Sequence, residues 1–349
     1  MSPTPTAPRT PDDEGGLAAR LPRRISPLTR RLAIASLASE IGIIVTGGAV
    51  RLTGSGLGCP TWPRCTPESI TNTPEMGIHG IIEFGNRTLT FVLVIIAAAM
   101  FLTLWNLRRT HRSLFWMSVG LLAGIPAQAV VGGITVLTQL NPWVVALHFI
   151  VSAVMVAVAT LMVIRVNAEL RAEEPGAPVV DGRTTPVTRA AGWAVFALTW
   201  VVVYLGTVVT GTGPHGGDPG APRHAFDPLL VTRVHALPVY LILATTLVLL
   251  FTVHGAAGAS TRQRGAVLRL LAVLVVQAGI GYTQHFTGLP VGLVILHLLG
   301  SALLVAAATE VWDRQRSRYP THGTDPFGVI SPSADGPSAT HAAAPAGRR

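Results

Sequence analysis

Apolar residues in this chain come in eight long runs separated by shorter polar stretches. Each run is close to the roughly 20 residues that a helix needs to cross the hydrocarbon core of a bilayer. Only 12% of the residues are charged and the mean hydropathy is +0.50, which excludes an ordinary soluble protein. The pattern predicts an all-α membrane protein with eight transmembrane helices. The runs cover 32–50, 78–104, 114–134, 143–164, 190–211, 229–253, 266–284 and 290–312.

The positive charge is distributed along the chain in a way that predicts its orientation. All 26 basic residues are arginines, and most flank alternate ends of the apolar runs. The positive-inside rule places those ends, and both termini, in the cytoplasm. A nucleic-acid partner is excluded because the arginines are spread over five inner segments instead of forming one patch. We therefore expect a basic disordered tail, an N-terminal four-helix half, a cytoplasmic linker, a C-terminal four-helix half and a second disordered tail, at 1–31, 32–165, 166–189, 190–315 and 316–349.

One segment occurs twice. Gln128–His148 and Gln277–His297 each read as the end of an apolar helix, a turn and the start of the next helix, at an offset of 149 residues. When the two copies are extended to Ala153 and Ala302, ten of the 26 aligned residues are identical. Apolar composition alone would not place Gln, Gly, Thr, His and Ser in one register, so the pattern indicates an internal duplication.

The first and fifth runs both end in glycine-rich segments, which we align at an offset of 164. On that alignment the first outer loop is about fifteen residues longer than its counterpart, and the extra segment contains the two cysteines, Cys59 and Cys65. The predicted topology places them on the oxidising face, where a disulfide can persist. Two free thiols and a redox-active pair are the alternatives.

Four polar residues are expected at one depth. With the offset of 149, His235 corresponds to Asn86 and His297 to His148. Each lies six to eight residues inside its predicted span, about 9–12 Å at 1.5 Å per residue. All four belong to even-numbered spans, which run in the same direction, so they can face one another in pairs. A four-helix bundle with inward-facing histidines is a common frame for a metal or a haem.

Glu83 and Arg87 bring charge into the second span. A carboxylate within a membrane helix is costly and usually functional. Glu83 lies three residues before Asn86, and with His79 these residues share one helix face. The alternative is that Glu83 and Arg87, four residues apart, only neutralise each other.

The histidine pair of the second half favours haem over zinc. Zinc requires three or four ligands, whereas His235 and His297 have no carboxylate nearby. Two neutral histidines on facing helices are typical axial ligands of haem iron. A lone membrane histidine is often only a hydrogen-bonded core residue. We expect the loop histidines to be solvated; they are His111, His215, His224, His254 and His285.

The first outer loop resembles that of haem A synthases over the segment TGGAVRLTGSGLGCPTWPRC, residues 46–65. The resemblance continues in IIEFGNR at 81–87, in ALH at 146–148 and in the helices of His235 and His297, and it covers about 32–315. It implies two four-helix bundles related by a pseudo-twofold axis. It also implies that the enzyme is an oxidoreductase converting a ring methyl of haem O to the formyl group of haem A.

The resemblance also implies how the two halves are used. Haem b would be the cofactor of the C-terminal half, ligated by His235 and His297, and haem O would bind in the N-terminal half with Glu83 as the essential residue. The family commonly has Glu-x-x-His where this chain has Glu83 and Asn86. We therefore expect His148 to be the one protein ligand of the substrate iron, with a weak or vacant sixth position.

Further roles follow as expectations. Glu83 would accept a proton or steady positive charge at the oxidised methyl carbon. Arg87 and Arg233 would pair with propionates. Cys59 and Cys65 would hold the loop over the substrate pocket or take up electrons. Haem O synthase and a terminal oxidase are the expected partners, in the plasma membrane of a bacterium.

Two other classes of protein use a similar frame. A membrane b-type cytochrome or a haem carrier would also need matched histidines, but not a carboxylate beside one haem only. A transporter is the third alternative, because parallel repeats occur there as well; it predicts no bound chromophore.

Overall fold

The computed structural model describes residues 20–172, 184–255 and 259–316. Within these ranges the chain forms eight α-helices, all long and apolar enough to cross a membrane. This confirms the predicted all-α membrane fold. Short 3-10 turns at Pro74–Met76 and Trp105–Leu107 flank the second helix. The helices are α1 Pro27–Leu52, α2 Gly77–Leu104, α3 Arg112–Leu137, α4 Pro142–Ala172, α5 Pro186–Thr212, α6 Pro228–Gly255, α7 Thr261–Phe286 and α8 Val291–Arg316.

The helix starts differ from the predicted ones for a local reason. α1 begins at Pro27, inside the segment expected to be a disordered tail, because Ser26 and Thr29 form a reciprocal capping box. α5 begins at Pro186 with an equivalent box made by Thr185 and Thr188. The remaining parts of the predicted tails and linker, 1–19, 317–349 and 173–183, lie outside the described residues.

These two caps correct the alignment of the first and fifth helices. Thr185 corresponds to Ser26 at an offset of 159, and the buried faces of the two helices match at the same offset. The offset of 164 expected from the glycine-rich ends is therefore wrong. Since the even helices keep an offset of 149, the chain between equivalent positions of α1 and α2 is longer than that between α5 and α6 by ten residues (159 − 149), not fifteen.

The duplicated segment has the same backbone in both copies. Leu140 and Leu289, 149 residues apart, both have a φ of 60° in the turns that follow α3 and α7. The N–H of Leu140 donates to Thr135 O at 2.7 Å, and that of Leu289 donates to Gln284 O at 2.8 Å. A left-handed leucine is strained, so its recurrence shows that the turn itself is part of the repeat.

A side-chain bond also recurs between the helices that this turn connects. Nε2 of Gln128 donates to the backbone oxygen of His148 at 3.0 Å, and Nε2 of Gln277 donates to that of His297 at 2.9 Å. In each half the glutamine therefore ties the helix before the turn to the histidine helix after it.

The helices pack as two four-membered rings. α1–α4 each contact their neighbours and enclose one apolar core, which includes Met100, Leu121 and Met162. α5–α8 do the same around a second core, which includes Ile242 and Leu270. A third cluster joins the rings where α1 and α4 meet α5 and α8; its buried members are Ile44, Ala153, Val156, Ala157, Val203, Ala302 and Val305.

We use the name loop face for the side of the molecule that carries the α1–α2, α3–α4, α5–α6 and α7–α8 connections. At this face Arg51 of α1 donates to the backbone oxygens of Thr210 and His215, at 3.0 and 2.6 Å. The N–H of Gly56 donates to Gly217 O at 2.8 Å. The loop that contains the cysteines is thus tied to the other half of the protein.

Candidate functional site

The four predicted positions lie in corresponding places on the even helices. Asn86, His148, His235 and His297 are all half-buried and come six to nine residues after the first residue of α2, α4, α6 and α8. His235 and His297 are close enough to interact electrostatically. The structure thus brings the two histidines of the second half together, as the repeat predicted.

Each of the three histidine rings packs against a glycine of the preceding helix. A Cβ placed on Gly132 would lie 3.2 Å from Cε1 of His148, and one on Gly281 would lie 3.5 Å from Cε1 of His297. Gly206 and His235 have the same relation, at 3.3 Å. The absence of a side chain lets each imidazole approach the neighbouring helix.

At the fourth position, Asn86 also faces a glycine of the preceding helix, but its side chain is shorter than that of histidine. Gly47 corresponds to Gly206 at the offset of 159, and a Cβ on Gly47 would lie 4.0 Å from Nδ2 of Asn86. The sequence analysis noted the glycines at the end of α1 but did not find these contacts. The recurring glycine at the offsets of 149 and 159 is the signal that could have revealed them.

These four positions carry buried polar atoms whose hydrogen bonding is incomplete. Nδ1 of His148, His235 and His297 is buried, and so is Oδ1 of Asn86; none has a hydrogen-bond partner of normal geometry among the described residues. A buried polar atom without a partner costs free energy that a ligand can offset. Neutral imidazoles in an apolar frame fit haem iron, so the residues present suit a haem in each half.

Glu83 is buried at the N-terminal part of α2 and has both oxygens engaged. Its Oε2 accepts the backbone N–H of Cys59 at 2.6 Å. Its Oε1 accepts Nη2 and Nε of Arg87, at 2.5 and 3.2 Å. The ion pair considered as the alternative is therefore formed, but the carboxylate also holds the cysteine loop.

Arg87 contacts the loop with the rest of its guanidinium. Nη2 donates to Cys59 O at 2.9 Å, and Nη1 donates to Thr61 O and Arg64 O at 3.1 and 3.4 Å. With the bonds to Glu83, all five N–H groups of Arg87 are used. The structure thus shows Arg87 bound to the loop, whereas we had expected it to pair with a haem propionate.

Arg233 differs from Arg87 in this respect. Its side chain is exposed near the N-terminal end of α6, two residues before His235. It has no hydrogen bond or ion pair within the part of the chain that the structure describes. Its pairing with a propionate stays a prediction.

Cys59 and Cys65 form a disulfide, and both are completely buried. The structure therefore contains the predicted disulfide and not two free thiols. Between them, the indole of Trp62 lies on Gly133 of α3, so closely that a Cβ there would be 2.6 Å from Cε2 of the ring. The loop thus reaches from α2, where Arg87 holds it, to α3.

His79 does not join the histidine positions. Its Nδ1 lies 2.8 Å from Oγ of Ser55, and the side chain lines a cleft of about 410 Å³ on the loop face. The cleft lies between the α1–α2 loop and residues Asp218 and Pro219 of the α5–α6 loop.

The expectation that the loop histidines are solvated is wrong for His224. It is buried, and its ring lies 4.2 Å from the ring of Trp143, centroid to centroid. Burial, and secondly the charge of Arg51, lower the pKa of its imidazole. In the sequence, nearby apolar loop residues such as Phe226 could have indicated that His224 packs against other side chains.

Comparison with known proteins identifies a matching family and several relatives. The family model described as "COX15-CtaA: Cytochrome oxidase assembly protein" matches residues 30–214. A haem A synthase of Symbiobacterium thermophilum is 25% identical over 273 residues, covering 74% of this chain and 88% of the relative. One of Rhizobium johnstonii is 25% identical over 338 residues, covering 81% and 88%. One of Bacillus pumilus is 30% identical over 174 residues, covering 49% and 55%.

The matched segment begins in the first turn of α1, includes all of α2–α4 and reaches past the end of α5, which is more than half of the chain. It contains the cysteine loop, Glu83, Asn86 and His148. The chain therefore belongs to the COX15-CtaA family of cytochrome oxidase assembly proteins.

Proposed function

We propose that this protein is a haem A synthase, which oxidises a ring methyl of haem O to the formyl group of haem A. The relatives that cover most of the chain carry that name. The observation that carries the proposal is the asymmetry of the two halves. Glu83 lies one turn before Asn86, whereas the equivalent residue in the second half is Thr232 (83 + 149), beside His235.

The C-terminal half is the proposed site of the resident cofactor. His235 and His297 would hold haem b, and the exposed Arg233 would pair with a propionate. Bound there, haem b would supply one-electron redox chemistry. The chain's own contribution is to orient the imidazoles, through the glycines behind them and the bond from Gln277 to the His297 carbonyl.

The N-terminal half is the proposed substrate site. His148 would bind the iron of haem O, and the amide of Asn86 is a poor iron ligand, so one axial position stays open. An open position suits oxidation chemistry better than two strong ligands do. The unpartnered Oδ1 of Asn86 remains as a hydrogen-bond acceptor toward a bound substrate.

Glu83 is the proposed catalytic residue. A carboxylate can accept about four hydrogen bonds, two on each oxygen. Oε1 already accepts two from Arg87, and Oε2 accepts one from Cys59. One acceptor site therefore remains on Oε2, where it can take a proton released during the oxidation or face the developing positive charge.

The proposal extends to the surroundings of the enzyme. The substrate would come from a haem O synthase and the product would go to a terminal oxidase. The eight membrane helices and the bacterial relatives support a place in a bacterial plasma membrane.

The test is to replace Glu83 with Gln in cells that also express a haem O synthase. The amide oxygen can still accept the Cys59 N–H, but it cannot take a proton, so we expect haem A formation to fall by about 10²-fold or more. Bound haem, measured in the purified protein by its absorption spectrum and by pigment extraction, should remain.

Two further variants make the result specific. Glu75→Gln removes an exposed carboxylate eight residues earlier and should keep normal synthesis. Arg87→Gln loosens the loop and spares the carboxylate, so it should keep part of the activity. Normal haem A formation in Glu83→Gln would refute the catalytic role, and absence of haem from the wild-type protein would refute the proposed function.

A further inference from the structure

The two halves of the protein close the gap between their second and third helices in different ways. In the C-terminal half, the hydroxyls of Tyr240 on α6 and Tyr282 on α7 are hydrogen-bonded at 2.5 Å. Subtracting 149 from both numbers gives Phe91 on α2 and Gly133 on α3. These residues cannot make the same bond, because neither has a polar side chain.

The indole of Trp62 occupies the place that Gly133 leaves open. Gly133 is buried, and Trp62 packs directly on its backbone. The neighbouring residue, Gly132, is the one that receives the ring of His148. The indole and the proposed substrate ligand thus contact adjacent residues of one helix.

Trp62 belongs to the segment that distinguishes the first half from the second. It lies between the two disulfide-bonded cysteines, in a loop held on α2 by Arg87 and Glu83. The shorter α5–α6 loop packs elsewhere, with His224 against Trp143 at the start of α4. Among the described residues, the hydrogen bond and the ring contact of Tyr282 are made with Tyr240 and Phe286, neither of which belongs to that loop.

We propose that Trp62 is the movable closure of the substrate site, filling the gap between α2 and α3 beside His148. This rests on the proposed function and deepens it. A substrate must enter and leave in every catalytic cycle, and a side chain on a loop can withdraw while the helices stay packed. A resident cofactor has no such need, and a direct bond between Tyr240 and Tyr282 closes its half. A flat indole also suits contact with a planar, largely apolar tetrapyrrole.

The test measures how fast each half releases haem. The purified full-length protein in lipid nanodiscs, loaded with iron protoporphyrin IX as the probe, is mixed with excess apomyoglobin, and transfer is followed by absorbance. The phase lost in His148→Ala belongs to the N-terminal half, and the phase lost in His297→Ala belongs to the C-terminal half.

Trp62→Ala should accelerate the N-terminal phase by about tenfold, which corresponds to roughly 1.4 kcal/mol and lies within the range of an aromatic contact. The C-terminal phase should not change. Gly133→Ala keeps the indole but displaces it, and should act in the same direction. Trp116→Ala is the matched control. It removes an exposed tryptophan of α3, the helix that contains Gly133, and should leave both phases unchanged.

Tyr282→Phe provides the reciprocal measurement. It removes the hydroxyl bond between α6 and α7 and should accelerate only the C-terminal phase. If both phases are present and Trp62→Ala releases haem at the wild-type rate, the closure role is wrong while the proposed function stands. If the wild-type protein holds no transferable haem, the proposed function itself fails.

Discussion

Each imidazole can lie close to the neighbouring helix because the residue that it faces there is a glycine. The contacts at Gly132, Gly206 and Gly281 have the same form but differ in tightness. A Cβ at 3.2 Å from a ring atom requires the ring to move, whereas one at 3.5 Å makes an ordinary van der Waals contact. The same substitution should therefore have different effects at Gly132 and at Gly281.

Gly132→Ala and Gly281→Ala test this difference. Alanine in a helix interior is intrinsically more favourable than glycine by about 1 kcal/mol. At Gly281 that gain should dominate, with an unchanged spectrum of bound haem. At Gly132 the displaced His148 should weaken haem binding by about 1–2 kcal/mol, a factor of roughly 5–30.

Haem titration of the purified variants, with the absorption spectrum as the readout, measures both effects. An equal change in haem affinity, relative to the wild type, in the two variants would show that the imidazoles are not positioned by these glycines. Gly120→Ala, in the same helix and with open space around its Cβ position, is the control for the helix effect alone.

The chemistry-bearing residues could be found from the sequence because the duplication gives their register. His148 and His297 follow directly from it, and so does the correspondence of Asn86 with His235. The partners of Arg87 could not be found in this way. Besides Glu83, they are backbone oxygens of Cys59, Thr61 and Arg64, in an irregular loop where no periodic pattern predicts the path of the chain.

At the scale of helices, the glutamine ties between α3 and α4 and between α7 and α8 are the most regular polar feature of the fold. Gln128 donates both to the His148 carbonyl and to Oγ of Ser152. Within the described residues, Gln277 donates only to the His297 carbonyl. The two glutamines occupy equivalent positions, but Gln128 donates one more hydrogen bond than Gln277.

Gln128→Leu should therefore destabilise the protein more than Gln277→Leu does. At about 1 kcal/mol for each hydrogen bond lost, we expect roughly 2 kcal/mol for Gln128→Leu and 1 kcal/mol for Gln277→Leu. Unfolding by a denaturing detergent, followed by circular dichroism, measures the difference. An effect of Gln277→Leu as large as that of Gln128→Leu would contradict the interpretation.

The helices themselves were predictable because a membrane span needs a long apolar run, and such runs are visible without knowledge of packing. Their ends were not. α1 starts at Pro27 because of the Ser26 cap, in a segment whose arginines and prolines indicate a tail. The alignment of α1 with α5 also depended on caps and buried faces, which glycine-rich ends do not reveal.

Considered as a whole, the molecule consists of two bundles joined by an apolar seam and by polar contacts at both ends. On the loop face, Arg51 binds two carbonyls near the C-terminal end of α5. At the opposite end, Arg165 of α4 lies 3.8 Å from Asp313 of α8, with both side chains largely buried. Both contacts join residues from different halves.

Arg51→Met should loosen the junction on the loop face. It removes two charge-assisted hydrogen bonds and should cost about 2–4 kcal/mol in total stability. Hydrogen exchange should rise at 210–217 and stay unchanged at the opposite ends of α4 and α8. Arg64→Met, an exposed loop arginine, is the control; unchanged exchange at 210–217 in Arg51→Met would show that the junction does not depend on this residue.

The seam is built from the same residues of both halves. Ala153 and Ala302, and Val156 and Val305, are pairs 149 residues apart, and Ile44 and Val203 are 159 apart. A patch that meets its own counterpart is what a dimer of identical subunits buries. The seam thus has the form of the contact surface of a homodimer of four-helix chains, which is the surface that duplication followed by fusion of the two copies would bury inside one molecule.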